Sequence, residues 1–351
     1  MPLFKITIII AVIASIIVFI AISFFLETGQ TLKKVVTKSR LQPPTSNISF
    51  DDITIRGWLP YWRQNEIEST FYNLPSSLEV SPFYLTLTKE GAISSEKKIR
   101  LPEGYTTIPT ISNEFEHERV AKILETSQTI DAHIQDIISY TIEDNVPGIE
   151  IDYENIPREY RESFTQFILK LGERLHQENK LLYVALQAKT SELKVAAGAE
   201  SQDYKAICEI ADKCTIMAYD KHWKGSGPGP ITPISWLKEV IAYAQTEIPN
   251  EKLVIGLPLY GYEWPTNQPG FSRTHDNILQ YSSENQYNIL FDNHEKTPYI
   301  NTGTSQLWFD NEESLHAKMY YARSKGIQHF AFWALGGEGE LLRNLLKKIS
   351  Y

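Results

Sequence analysis

Three carboxylates at alternate positions stand mid-chain, in Gly148-Ile149-Glu150-Ile151-Asp152-Tyr153-Glu154. Strict alternation of apolar and acidic residues is the pattern of a β-strand, whose successive side chains point to opposite faces. Ile149, Ile151 and Tyr153 then share one face, and Glu150, Asp152 and Glu154 the other. If the strand is covered on both sides, as strands in α/β chains are, the three acids crowd onto a face with little water. Like charges that close do not all ionise, so at least one is expected to hold a proton near neutral pH. A protonated carboxyl beside an ionised one is what acid-catalysed cleavage of a glycosidic bond needs. An edge strand with a solvated acidic face would explain the same heptapeptide, and the rest of the chain has to decide between the two.

The elements that would position these acids recur after residue 50. Strand-like apolar runs are Ile53–Leu59, Glu79–Thr86, Thr106–Ser112, the acidic strand, Leu181–Leu186, Cys214–Tyr219, Lys252–Tyr260 and Ile327–Trp333. Helical stretches fall between them at Glu118–Thr126, Ile130–Asp144, Arg158–Asn179, Trp236–Thr246 and Glu313–Lys325. Eight strands separated by helices in roughly 300 residues predict an α/β fold, a (β/α)8 TIM barrel. Function in that fold gathers at the C-terminal strand ends, where Glu154, Tyr219, Asp220, Tyr260 and Trp333 fall. The rival, a doubly wound open sheet, would want a Gly-rich phosphate turn after an early strand, and none is present. The stretch 263–310 is too long for an ordinary loop and carries its own strand-like pieces at Tyr287–Asp292, Pro298–Ile300 and Gln306–Phe309. It is expected to be a small β insertion after strand seven, walling one side of a cleft.

Composition bounds the partners. The 351 residues are 42% hydrophobic and 12% aromatic with a net charge of −9, which fits a large globular core. No basic cluster lies in the folded part, so nucleic acid is not an expected partner. Seven Trp and nineteen Tyr suit the flat C–H faces of sugar rings, although most aromatics serve the core. The eight His show no metal-ligand spacing, so neither metal nor cofactor is expected. Cys208 and Cys214 are close enough in sequence to pair, but two buried thiols are the expectation.

Residues 6–26 are almost unbroken apolar sequence, long enough to span a bilayer as a helix. The apolar run continues through Phe24-Phe25-Leu26 past a tolerable cut site at Ala21-Ile22-Ser23, so an uncleaved transmembrane anchor is expected over a signal peptide. The polar stretch 27–50 then reads as a tether and 51–351 as the catalytic barrel. Lys33, Lys34, Lys38 and Arg40 after the span favour an inside domain. The function argued here favours an outside one, and that is the placement expected, with a monomeric domain.

Four motifs carry a family resemblance. Gly148–Glu154 resembles the strand-four signature of glycoside hydrolase family 18, where Asp-Gly precedes alternating Asp, Asp and Glu. Met217-Ala218-Tyr219-Asp220, Val254–Gly261 and Phe332-Trp333-Ala334-Leu335-Gly336 resemble its strand-six, strand-seven and strand-eight motifs. Gly225–Pro230 followed by Trp236 looks most like the bacterial branch related to spore-cortex peptidoglycan hydrolases. Pro147 and Glu150 depart from the pattern, each standing where the family has Asp. The resemblance implies cleavage of β-1,4-linked N-acetylglucosamine glycans, either chitin or peptidoglycan, through the substrate's own acetamide. By it Glu154 is the general acid and base, and Asp152 orients the acetamide. Glu150 shares a proton with Asp152, and Tyr219 hydrogen-bonds the acetamido oxygen. Asp220 binds a sugar hydroxyl and Trp333 floors the distorted sugar, with Met217, Tyr260, Trp58 and Trp62 as further subsite candidates. Trp58, Trp62 and Tyr260 could equally be core. A sugar-binding relative without turnover is the alternative, and the presence of Glu154 argues against it.

Overall fold

The structure is a computed structural model and describes residue 50 and residues 52–72, 74–192 and 198–349. The apolar span 6–26 and nearly all of the tether lie outside the described residues. Among the described residues no helix is long and apolar enough to cross a membrane.

Strands β1 (Thr54–Pro60) and β2 (Glu79–Leu87) begin the main sheet, and the two-residue β3 (Ile93–Ser94) hangs antiparallel on β2. There follow β4 (Thr110–Ser112), β5 (Gly148–Asp152), β6 (Leu181–Gln187), β7 (Lys213–Met217) and β8 (Leu253–Pro258). The smaller sheet comprises β9 (Tyr260–Pro265), β10 (Phe271–Thr274), β11 (Leu290–Asp292), β12 (Thr297–Asn301) and β13 (Ser305–Phe309), and the chain then returns to the main sheet as β14 (His329–Trp333). The main sheet runs in the order β1-β14-β8-β7-β6-β5-β4-β2-β3, and a further β1–β2 pairing closes it. Eight parallel strands thus form a TIM-type barrel, and all eight coincide with the apolar runs read from sequence.

The alternation within each strand sorts side chains into two cores. Ile149, Ile151 and Tyr153 join the layer between barrel and helices, packing with residues such as Ile137 and Phe167. Tyr153 is stacked on Phe167 with ring centroids 6.0 Å apart, and its hydroxyl meets His133 Nε2 at 2.7 Å. Trp58, Phe83, Ala185, Met217, Val254 and Ala331 instead form a small cluster inside the barrel. Every position of β5 is buried, so its acidic face looks into the barrel and not into solvent. That removes the edge-strand reading. Gly148 serves close approach here, because a Cβ on it would lie 2.4 Å from the Leu181 carbonyl oxygen on the neighbouring β6.

The surrounding helices include Ser127–Glu143, Arg161–Gln177, Ile234–Glu247 and Glu312–Ser324, near their expected bounds. Capping boxes start the first and last of these, Thr126 with Thr129 and Asn311 with Ser314. A further helix, Tyr204–Ile210, lies between β6 and β7.

Two expectations are corrected. Strand seven does not run to Tyr260: β8 stops at Pro258, which has no amide hydrogen to carry a ladder onward. After Leu259 the chain is already in the second sheet, whose antiparallel order is β10-β9-β13-β12-β11. The insertion therefore begins at Tyr260, ahead of residue 263, and it includes a helix, His275–Asn285. The cysteines are also not free thiols. Cys208 near the end of one helix and Cys214 near the start of β7 have Cα atoms 6.0 Å apart and form a disulfide, within the reach that such a bond requires.

Candidate active site

The three carboxylates of the acidic strand occupy three different environments along the barrel axis. Glu150 lies deepest and is fully buried. Its Oε1 accepts from Arg56 Nη2 at 2.7 Å, and its Oε2 from Trp58 Nε1 at 2.6 Å and Thr110 Oγ1 at 2.8 Å. Arg and the Trp indole can only donate, so both oxygens act as acceptors. Arg56 is itself 4% exposed, also donates to Thr215, and lies over the Trp58 and Tyr183 rings at 5.1 and 5.0 Å. Glu150 is thus anchored as half of a buried ion pair, its oxygens held by these donors. Trp58 is 1% exposed and serves that anchor, beneath the cleft and not along its wall.

Asp152 stands one step higher and is 6% exposed. Burial, then the charges of Glu154 and Glu150, push its carboxyl well above the usual carboxylate range, against the opposing pull of Arg56. Its Oδ1 is buried and accepts no hydrogen bond from the described residues. An unsatisfied buried acceptor is costly, and at a site it marks where a donor from a ligand belongs.

Glu154 sits at the rim, just past the end of β5. Its backbone is held at two points by the buried Asn113, whose Oδ1 accepts from the Glu154 amide and whose Nδ2 donates to the Glu154 carbonyl, each at 2.9 Å. Gln187 Nε2 donates to the Glu154 carboxylate at 3.3 Å. Burial raises the Glu154 pKa to about 7; the Gln187 bond works against this and the charge of Asp220 adds to it.

The rim residues converge. Asp152, Glu154, Met217, Tyr219, Asp220 and Trp333 line one cavity of about 280 Å³, with Trp62 on its edge. Trp333 meets Phe83, Trp58 and Trp62 at edge-to-face angles, with centroids 5.0, 6.0 and 6.3 Å away. Trp62, 52% exposed, is free to meet a ligand. Asp220 adopts a left-handed φ of 59°, and the hydroxyls of Tyr260 and Tyr262 both donate to its carboxylate. Tyr260 lines a second arm of about 450 Å³ that shares Trp62, Asp220 and Trp333 with the first. Every site residue expected from sequence therefore reaches the cleft except Glu150 and Trp58, which support it from below.

Arg56, Thr110, Asn113, Gln187 and Tyr262 were not anticipated. Asn113 follows β4 and Gln187 ends β6, so position at a strand's C-terminal end was the available signal. Arg56 gave none, since a lone Arg in an apolar run reads as surface until its partner is known. Removing one member of a buried pair strands the other charge. Arg56→Met is expected to lose about 3–5 kcal/mol in denaturant unfolding. Adding Glu150→Gln to it should recover a good part of that loss, because no buried charge is then unpaired.

The cortical fragment-lytic enzyme of Bacillus subtilis (strain 168) is 25% identical over 240 residues, covering 65% of this chain and 56% of that protein. The chain spans 61%, 56%, 74% and 51% of the length of four curated relatives, so their whole-protein activities do not transfer outright. The Bacillus cereus spore cortex-lytic enzyme SleL superposes with a TM-score of 0.70 at 22% identity, covering 84% of this chain and 74% of SleL. A chitinase from Chromobacterium violaceum ATCC 12472 does so at 0.74 and 18%, covering 85% of this chain and 99% of its own. Identities this low speak for the fold alone. The family model "Glycosyl hydrolases family 18" matches residues 70–338, which include the acidic strand, most of the cleft lining and the second sheet. On that match the chain belongs to glycosyl hydrolases family 18.

Proposed function

We propose that this chain hydrolyses β-1,4-linked N-acetylglucosamine-containing glycans, of the chitin or peptidoglycan kind, by substrate-assisted catalysis with retention. The observation that carries this reading is the unpartnered Oδ1 of Asp152, buried on the cleft floor beside the acid Glu154. A second carboxylate acting as nucleophile is the usual retaining arrangement, but this one is sunk below the rim and lacks a donor. An acetamide N–H supplies the missing donor, and its carbonyl oxygen is then the nucleophile.

The steps follow from the atoms available. Glu154, protonated below about pH 7, gives its proton to the glycosidic oxygen as the bond to the anomeric carbon breaks. The acetamido oxygen forms the new bond to that carbon, giving an oxazolinium ring whose N–H is held by Asp152. Tyr219 lines the same cavity and donates its hydroxyl to the acetamido oxygen. Glu154, now ionised, takes a proton from water, which opens the ring from the leaving-group side. Two displacements return the original anomeric configuration. Trp333 provides the flat surface under the reacting sugar, and Asp220 a hydroxyl partner at the edge.

Replacing Glu154 by Gln keeps the shape and removes the proton. Turnover of N-acetylglucosamine oligomers should fall about 10²–10⁴-fold with glycan binding preserved; cleavage at the parent rate would reassign the acid. The products, followed by proton NMR during the first turnovers, should appear with the β anomer in excess. An α excess would exclude the acetamide as nucleophile. The acid form of Glu154 is the active one, so kcat/KM should hold below about pH 7 and fall about tenfold per unit above it. Gln187 stabilises the ionised form, so Gln187→Ala should carry this basic limb to higher pH. A limb that stays in place would remove Glu154 as its source.

A further inference from the structure

The arm of the cleft beyond Trp333 differs in charge from what an N-acetylglucosamine homopolymer calls for. Its lining includes two cations, Arg63 and Arg273, and a single anion, Asp220. Asp220 accepts from the Tyr260 and Tyr262 hydroxyls, one on each of its oxygens. Ser272, Thr274 and Asn277 add neutral polar groups.

Each arginine is pinned at one point and has donors left over. Arg273 Nε donates to the buried Glu263 at 2.5 Å, and its guanidinium lies 5.0 and 4.7 Å from the Phe271 and Tyr281 rings. Only one of its five N–H donors is used by that bond. Arg63 Nη1 stands 3.5 Å from Glu66 Oε1, a loose pairing between partly exposed side chains. The glycine pair Gly336-Gly337 lets the two walls approach. A Cβ on Gly337 would lie 2.7 Å from Thr274 Cγ2 and 3.5 Å from Arg63 Cζ. The Arg63 guanidinium is thereby set alongside Thr274, the neighbour of Arg273.

A neutral glycan offers nothing to two half-buried guanidinium groups that the same glycan could not find from water. A carboxylate does, since the planar fork of Arg matches its two oxygens and charge-assisted bonds are about twice as strong as neutral ones. We propose that this arm is a binding site for a carboxylate carried by the glycan, with Arg63 and Arg273 as its cationic walls. The proposal rests on reading the cleft as the glycosidase site. Within that reading it favours an acidic, peptidoglycan-type strand over chitin. The carboxylate belongs either to a lactyl ether on the sugar next to the cut or to a short peptide attached there.

The test compares kcat/KM of the full-length protein on three soluble oligosaccharides of equal length. One is all N-acetylglucosamine, one alternates with lactyl-bearing sugars stripped of peptide, and one keeps the peptides. The parent should prefer at least one charged glycan; preference for the stripped strand identifies the lactyl carboxylate, and preference only for the third identifies the peptide. Arg63→Gln and Arg273→Gln should each cut the charged-to-neutral ratio about 10–100-fold, through KM, as loss of a charge-assisted bond requires. Arg63→Lys and Arg273→Lys should retain part of it. Arg273→Gln leaves Glu263 unpaired, so it is also made with Glu263→Gln, and Arg63→Gln stands as an independent arm. A parent with no charged preference, or ratios unmoved in both glutamine variants, overturns the carboxylate site. Glu154→Gln separates the two levels: if it is inactive while the ratios do not move, only this proposal falls, and if it remains active the reading of the cleft itself fails.

Discussion

A carboxylate kept from water has to be given donors or a proton, and the interior of this barrel resolves that demand differently at three depths. At the bottom, Arg56, Trp58 and Thr110 satisfy Glu150 completely. In the middle, Asp152 is left with an oxygen that nothing among the described residues satisfies. At the rim, Glu154 is half-buried and holds its proton up to neutral pH. The gradient depends on the lowest step. If Glu150 were an unpaired charge, Asp152 would be drawn into sharing a proton downward and would be less available to a ligand above.

The barrel was legible because period-two alternation between apolar runs survives any tertiary context, and all eight runs became strands. The cleft was legible for a related reason, since strand ends are fixed once strands are. What sequence could not show was partnership. Glu150 and Asp152 are adjacent on one face, yet the nearest donors to Glu150 come from β1 and β4, far away in sequence. Trp58 looked like a subsite wall from its place near a strand end, but the indole N–H turned inward to an acceptor that only the closed barrel creates. The cysteine pair illustrates the same limit, because the turn between helix and β7 decides a distance that spacing leaves open.

The second sheet is more than a wall added to the cleft. Its first strand, β9, begins one residue after β8 ends, and Tyr260 and Tyr262 from that strand hold Asp220 in a left-handed conformation that Asp tolerates better than most residues. Leu259, between the two strands, donates its amide to the Trp333 carbonyl at 2.7 Å, so the junction is stitched to the strand that carries the cleft floor.

This continuity sets where the protein can be cut and rejoined. A chimaera that exchanged the whole second sheet at its natural-looking boundary, between β8 and β9, would carry away the two hydroxyls that hold Asp220. The recipient barrel would keep its eight strands while its rim lost register. A graft that begins beyond Tyr262 would instead transplant the outer wall and leave the rim to its owner. The seam between scaffold and accessory therefore lies within β9, three residues inside the visible border.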